Sequence, residues 1–150
     1  MLIEKEISEK YFRNKCHKAI VNVFFTSNWL VEKLKSAIES EDITPQQYNL
    51  LRVLNISDKP LSTLKIREQM LDKMSDTSRI VERLQKKGLV QKKVAAHDKR
   101  LVDVSLTEKG AELVLRLDER ASTVDTYLAA LGDANLEHLN KLLDKIRENE

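Results

Sequence analysis

The most restrictive feature of this chain is a change of hydrophobic period between residues 89 and 106. Apolar and polar side chains alternate over 102–106, and Val90, Lys92 and Val94 stand at every second position of 90–94, whereas the flanking segments follow helical spacing. Alternation of this kind is typical of β-strands with one buried face. We therefore predict a β-hairpin whose tip, residues 95–100, carries charged side chains, set in an otherwise helical protein.

A long amphipathic helix is predicted over residues 8–40. Its apolar residues recur at steps of three and four, as at Ile20 and Phe24. Phe25 and Trp29 widen the apolar surface beyond a single stripe. We therefore expect this helix to contact two partners rather than one.

Three shorter helices are predicted before the hairpin, because each begins with a capping residue. Thr44, Pro45 and Gln47 match a capping box with proline at the first helical position, and that helix is expected to reach about Ser57. Ser62 and Ser75 are expected to cap the next two helices, the second ending at Gly88. The first of these two helices carries Leu64, Ile66 and Met70, and the inward positions of the second are expected to be Thr77, Ile80, Val81 and Leu84.

Two further helices are predicted after the hairpin. The first begins at 107–110 and carries apolar residues in regular steps of three and four, a seam that predicts a partner helix. Asp133 is expected to cap the last helix. The residues assigned to an interface with a second copy are Ile20, Leu117, Val124, Leu128, Leu139 and Leu143.

The positive charge of the chain is concentrated on the third short helix and the hairpin. The net charge is only +2, but residues 73–100 contain nine Lys or Arg against three acidic residues. Two short helices followed by a basic hairpin are typical of a winged helix-turn-helix, whose second helix enters the DNA major groove. A merely solvated charged surface is the alternative, but the charges coincide with the helix and wing that would touch DNA.

The predicted architecture is mainly α with a small β-hairpin wing: a winged helix-turn-helix flanked by N- and C-terminal dimerisation helices. We expect one domain over 1–150, with a DNA-binding lobe at 44–110 and dimerisation helices at 1–43 and 111–150. The expected partners are double-stranded DNA and a second copy of the chain.

The candidate DNA contacts lie on the third short helix and on the wing. Arg79 and Arg83 can offer a bidentate fork to guanine, and the lysines suit phosphate neutralisation. The serine, threonine and aspartate residues at the start of the helix could equally serve as caps. The full set is Ser62, Ser75, Asp76, Thr77, Ser78, Arg79, Arg83, Lys86, Lys92, Lys93, His97, Asp98, Lys99 and Arg100.

Three segments resemble the MarR family of bacterial transcription regulators. They are Gly88-Leu89-Val90, Asp98-Lys99-Arg100 and Leu106-Thr107-Glu108-Lys109-Gly110. The resemblance implies a homodimer on a pseudo-palindromic operator, with Asp98 orienting Arg100 for the minor groove. Two departures are Lys92, where the family often has arginine, and residues 71–73, which replace the usual Leu-Gly turn.

The resemblance also implies a small lipophilic or phenolic effector. Phe24, Phe25, Trp29 and Tyr48 are the candidate pocket residues, although aromatic residues at helical spacing are more often core. One alternative is a thiol-based oxidant sensor using Cys16, a residue that lies further from Pro45 than in the oxidant-sensing subgroup. Another is a winged-helix protein-interaction module without DNA binding.

Several other classes of protein are not expected. No apolar run approaches the roughly 20 residues that span a bilayer, and residues 1–6 lack the order of a signal peptide, so we expect a cytoplasmic protein without membrane partners. His17, His97 and His138 show no metal-ligand spacing, and no cofactor is predicted. No phosphate loop or nucleophile elbow occurs, so we do not expect an enzyme.

Overall fold

The computed structural model describes residues 2–94 and 102–148. Short 3₁₀ turns occupy Glu9–Tyr11 and Glu39–Glu41. The other elements are α1 (Ile3–Glu6), α2 (Lys15–Ile38), α3 (Pro45–Asn55), β1 (Leu61–Ser62), α4 (Thr63–Gln69), α5 (Thr77–Lys86), β2 (Val90–Val94), β3 (Val102–Leu106), α6 (Glu108–Ala129) and α7 (Asp133–Arg147). This order confirms the predicted winged-helix architecture. Over the described residues, no helix combines the length and apolarity needed to cross a bilayer.

Within the described residues, the strands form one antiparallel sheet in the order β1-β3-β2. The predicted hairpin is confirmed, since Val94 of β2 pairs with Val102 of β3. The short strand β1 was not predicted, because a segment of two residues cannot display an alternating pattern. Its Leu61 pairs with Val104, and both side chains are buried in the core.

The capping residues set the starts of α3 and α4 where the sequence predicts them. Thr44 Oγ1 accepts a hydrogen bond from the Gln47 amide at 3.2 Å, and Gln47 Oε1 accepts one from the Thr44 amide at 3.1 Å. Ser62 Oγ accepts from the Lys65 amide at 3.3 Å, as expected for the cap of α4. These side chains satisfy amides that lack a partner in the first helical turn.

Other predicted boundaries are wrong. Asn14 caps α2 at residue 14, through a hydrogen bond from the His17 amide, so the long helix does not begin at residue 8. Asp76 rather than Ser75 caps α5, and Gly132 rather than Asp133 occupies the N-cap of α7.

The hydrophobic core lies between α3, α4, α5, the sheet and the first half of α6. Its completely buried side chains include Leu50, Leu51, Ile66, Val81, Leu84, Val104, Val114 and Leu117. The assignment of Leu117 to a dimer interface is therefore wrong, because a side chain with 0% exposure in its own chain cannot reach a partner. Val124 and Leu128, further along α6, are only half-buried. The seam predicted along α6 is thus divided into a core half and a surface half.

The first turn of α6 lies against the backbone where α5 meets β2. A Cβ atom on Gly110 would stand 2.0 Å from the carbonyl oxygen of Leu89, so no other residue fits without displacing backbone. The Thr107 amide donates to the same carbonyl at 3.0 Å, and the Thr107 hydroxyl donates to the Gly88 carbonyl at 2.7 Å. The predicted helix start at 107–110 is thereby explained by tertiary contact as well as by capping.

Replacement of Gly110 by alanine is expected to destabilise the protein. In an ordinary helix, alanine is favoured over glycine by about 1 kcal/mol, but here overpacking should lower the free energy of unfolding by about 1–3 kcal/mol. Urea denaturation measures the free energy of unfolding. The control is Ala111→Gly, at the neighbouring position, which changes helix propensity alone. A Gly110→Ala protein as stable as the parent would contradict the close approach.

Candidate nucleic-acid interface

Helix α5 contacts the core with one face and leaves the other to solvent. Thr77, Val81 and Leu84 are buried, as the sequence predicts. The opposite face consists of exposed polar and charged side chains, namely Ser78, Arg79, Glu82, Arg83 and Lys86. Within the described residues, neither arginine of this face forms an ion pair. Their guanidinium groups are therefore available to an external acceptor.

The start of α5 lies beside the first turns of both α3 and α4. One shallow groove is lined by Gln46 of α3 together with Arg79 and Arg83. A second groove is lined by Arg67 of α4 together with Ser78. Gln46 and Arg67 were missed by the sequence analysis, because spacing within each helix does not reveal which exposed faces become neighbours.

Three of the candidate contacts at the start of α5 are used within the chain. Asp76 Oδ1 accepts from the Arg79 amide at 3.1 Å, which fulfils the capping alternative. Ser75 Oγ donates to Asp72 Oδ2 at 2.7 Å, and Thr77 has only 3% of its surface exposed. Ser62 likewise caps α4 and is half-buried.

The turn that precedes α5 is held by hydrogen bonds to two side chains, Asp72 and Asn49. Asp72 Oδ1 accepts from the Met74 amide at 3.0 Å, and its other oxygen accepts from Ser75. These hydrogen bonds, the one from the Ser75 hydroxyl foremost, lower the pKa of the Asp72 carboxyl because they stabilise its charged form. The Leu71 amide donates to Asn49 Oδ1 at 2.9 Å, which fixes the turn to α3.

The wing adds further cations beside α5. Lys92 and Lys93 are exposed on β2. The remaining wing candidates, His97, Asp98, Lys99 and Arg100, lie outside the residues that the structure describes. The exposed cations of α5 and β2, namely Arg79, Arg83, Lys86, Lys92 and Lys93, are together called the basic surface. As neighbours in one strand, Lys92 and Lys93 project from opposite faces of the sheet.

The four aromatic residues assigned to an effector pocket do not share one cavity. Phe25 and Trp29 line a cavity of about 220 Å³ together with Ile3 of α1. Phe24 has 66% of its surface exposed elsewhere on α2, and Tyr48 is buried in the core. The assignment of Phe24 and Tyr48 to an effector pocket gains no support from this cavity and stays a prediction.

Tyr48 takes part instead in a polar contact between α3 and α6. Its hydroxyl donates to Asp118 Oδ1 at 2.5 Å, and Arg52 Nε lies 3.3 Å from the same oxygen. Burial, followed by the bond to the Asp118 carboxylate, raises the pKa of the Tyr48 hydroxyl above its usual range. The hydroxyl therefore stays protonated and bonded at neutral pH.

The terminal helices leave much apolar surface uncovered. No residue of α7 is buried, and Leu139 and Leu143 are half-buried on its inner side. On α2, Ile20 has 51% of its surface exposed. Cys16, in the first turn of α2, is also exposed, and its proposed redox role stays a prediction.

Comparisons with known proteins find one matching family profile and relatives of low sequence identity. The sequence profile of the MarR family matches residues 41–101. The HTH-type transcriptional regulator MhqR of Bacillus subtilis is 22% identical over 120 residues, which cover 79% of this chain and 81% of that protein. Both matches include the lobe that carries the basic surface.

Solved structures share the fold. The complex of MepR from S. aureus with DNA has a TM-score of 0.77 at 22% identity, over 87% of this chain and 96% of that chain. The organohalide-sensing regulator RdhR, in its form bound to 2,4-dichlorophenol, has a TM-score of 0.83 at 19% identity, over 99% of this chain and 88% of that chain.

The Tyr48→Phe variant is expected to lose about 1–2 kcal/mol of unfolding free energy near pH 8, because Asp118 loses a hydrogen-bond donor. In the unfolded parent, the Tyr48 hydroxyl ionises near pH 10. In the folded parent its pKa is raised, so the hydroxyl ionises only at a higher pH. The contribution of the hydroxyl is thus complete below about pH 10 and declines above it.

Urea denaturation between pH 8 and pH 11 should therefore show that the difference in unfolding free energy between parent and variant becomes smaller above pH 10. Tyr127→Phe, at a half-exposed position, is the control and should change little. A Tyr48→Phe protein as stable as the parent at pH 8 would contradict the contact.

Proposed function

We propose that this chain is a member of the MarR family of transcription regulators and binds double-stranded DNA as a homodimer at a pseudo-palindromic operator. The observation that carries the proposal is the exposed face of α5, whose two guanidinium groups make no ion pair with described residues. A helix on the lobe surface with a basic hairpin beside it suits the major groove of B-form DNA. The fold shared with MepR, which was crystallised with DNA, supports this use of the surface.

Each part of the basic surface has a distinct task in this proposal. Arg79 and Arg83 contact base edges, where a guanidinium can bind guanine through two hydrogen bonds. Lys86, Lys92 and Lys93 neutralise phosphates, which makes affinity strongly dependent on salt. Residues 97–100 at the wing tip contact the minor groove, with Arg100 inserted and His97, Asp98 and Lys99 beside it.

The homodimer is formed by the terminal helices. Uncovered apolar side chains on α2, the second half of α6 and α7 support this, because exposed apolar surface of this extent favours association. The assigned residues are Ile20, Val124, Leu128, Leu139 and Leu143. A two-fold axis through these helices would hold the two copies of α5 about one DNA turn, roughly 34 Å, apart.

A small aromatic effector is proposed for the cavity beside Phe25 and Trp29. Its volume of about 220 Å³ suits a single substituted ring, being smaller than the roughly 300–1,000 Å³ typical of ligand pockets. The relative RdhR was solved with 2,4-dichlorophenol, a compound of that size class. Because the cavity adjoins a proposed dimerisation helix, an effector there would bias DNA binding if it preferred one arrangement of the dimer.

The DNA-binding proposal is tested by fluorescence anisotropy across a salt series. The probes are the duplex immediately upstream of the coding sequence and a scrambled duplex. The parent should bind the first with two chains per site and a steep salt dependence. Arg79→Ala should weaken binding about tenfold or more, since a base contact contributes about 1–3 kcal/mol.

Arg13→Ala is the matched control, because it removes the same charge from the segment before α2 and should leave affinity unchanged. Absence of binding to either duplex would reject the proposal and favour a protein-interaction module.

The dimer proposal is tested by placing an acid on α7. Leu143→Asp should yield a folded monomer, because the side chain is half-buried and α7 contributes no buried residue. Leu117→Asp should instead unfold the protein, because a charge would enter the core. Sedimentation velocity with circular dichroism separates the two results, and a Leu143→Asp protein that still sediments as a dimer would refute the assignment.

A further inference from the structure

The turn between α4 and α5 holds two large apolar side chains almost entirely in solvent. Leu71 is 90% exposed and Met74 is 94% exposed, more than any other large apolar side chain in the described part of the chain. We infer that these two side chains read the 5-methyl groups of thymine in the major groove. The inference rests on the proposed function, because it requires that α5 binds DNA.

The exposure of Leu71 and Met74 is imposed by a well-defined turn. Asp72 accepts hydrogen bonds from the Met74 amide at 3.0 Å and from the Ser75 hydroxyl at 2.7 Å. The Leu71 amide is bonded to Asn49 of α3 at 2.9 Å. The backbone at Leu71 and at Met74 is thus held by hydrogen bonds. The turn is therefore already ordered in the free protein, and binding does not incur the entropy cost of ordering it.

The polar groups at this end of α5 are already occupied. Ser75 bonds to Asp72, Asp76 caps the helix through the Arg79 amide, and Thr77 is buried. The first turn of a recognition helix approaches base edges most closely, so its chemistry decides which bases are favoured. The side chains that remain available there include Leu71, Lys73, Met74, Ser78 and Arg79.

Apolar side chains can discriminate one base by direct contact. In the major groove, thymine alone among the four bases presents a methyl group, and apolar residues contact it favourably. Arg79 supplies the complementary preference for guanine. An operator bound in this way would place thymines next to the positions read by Arg79.

The surroundings of the turn favour DNA over a second protein surface. Lys73 lies between the two apolar residues and is exposed, and the exposed Arg67 lines the groove at the start of α5. Cations beside isolated apolar side chains suit a polyanion that carries methyl groups. The apolar surface suited to self-association lies elsewhere, on α2, the second half of α6 and α7.

The experiment replaces thymine by deoxyuridine, which lacks only the methyl group. The probe is the duplex that the parent protein selects from a random-sequence library, with its thymines replaced one at a time. Anisotropy should show at least one position per half-site at which deoxyuridine weakens parental binding about three- to fourfold, the effect expected for burial of one methyl group.

The Leu71→Gln/Met74→Gln double variant should bind the unmodified duplex more weakly and show equal affinity for thymine and deoxyuridine at that position. The control is Leu115→Gln, which changes an exposed leucine on α6 and should retain the parental sensitivity. Because both turn residues are exposed, the double variant should unfold at the parental temperature.

Three results would overturn the inference. Specific DNA binding by the parent without sensitivity to deoxyuridine, or with sensitivity that the double variant retains, would reject thymine reading and leave the proposed function intact. A weaker dimer in the double variant would assign the turn to contact with a second copy. Failure of the parent to select any duplex would reject the proposed function as well.

Discussion

The first turn of α6 and the backbone of Leu89 approach so closely that a side chain at position 110 would collide with the carbonyl oxygen. Thr107 reinforces this junction with hydrogen bonds to the carbonyls of Gly88 and Leu89. Gly88 follows the end of α5, and Leu89 precedes β2. This single contact therefore connects the end of α5, the start of β2 and the start of α6, so that α5 and β2 must move with the start of α6.

Further contacts connect the lobe to α6 beyond this junction. Tyr48 and Arg52 of α3 contact Asp118. Just before the lobe, Glu41 Oε1 lies 3.6 Å from Arg116 Nε and 3.4 Å from Arg120 Nη2. All of these contacts lie on the part of α6 up to residue 120. The remainder of α6 and α7 carry the uncovered apolar side chains, so in the proposed dimer one continuous helix transmits the position of the partner to the DNA-binding lobe.

Features encoded by neighbouring residues were predictable from the sequence. The capping box at Thr44 and the period of two over 90–94 and 102–106 depend on side chains within a few positions of one another. The burial of Leu117 was not predictable in the same way, because a seam with regular spacing can face the chain's own core or a second copy. The separation of Phe24 from Phe25 and the strand at Leu61–Ser62 likewise depend on distant parts of the chain.

The candidate contacts on α5 show why residue type alone identifies an interface poorly. Serine, threonine and aspartate bind DNA and cap helices through the same oxygen atoms, and local backbone amides compete for them first. In this chain, Asp76 is engaged by the Arg79 amide, and Ser75 is engaged by Asp72. Arg79 has a guanidinium group that the helix cannot use for capping, and it stays exposed. A binding surface consists of the groups that folding leaves unsatisfied, and here those groups include apolar as well as charged side chains.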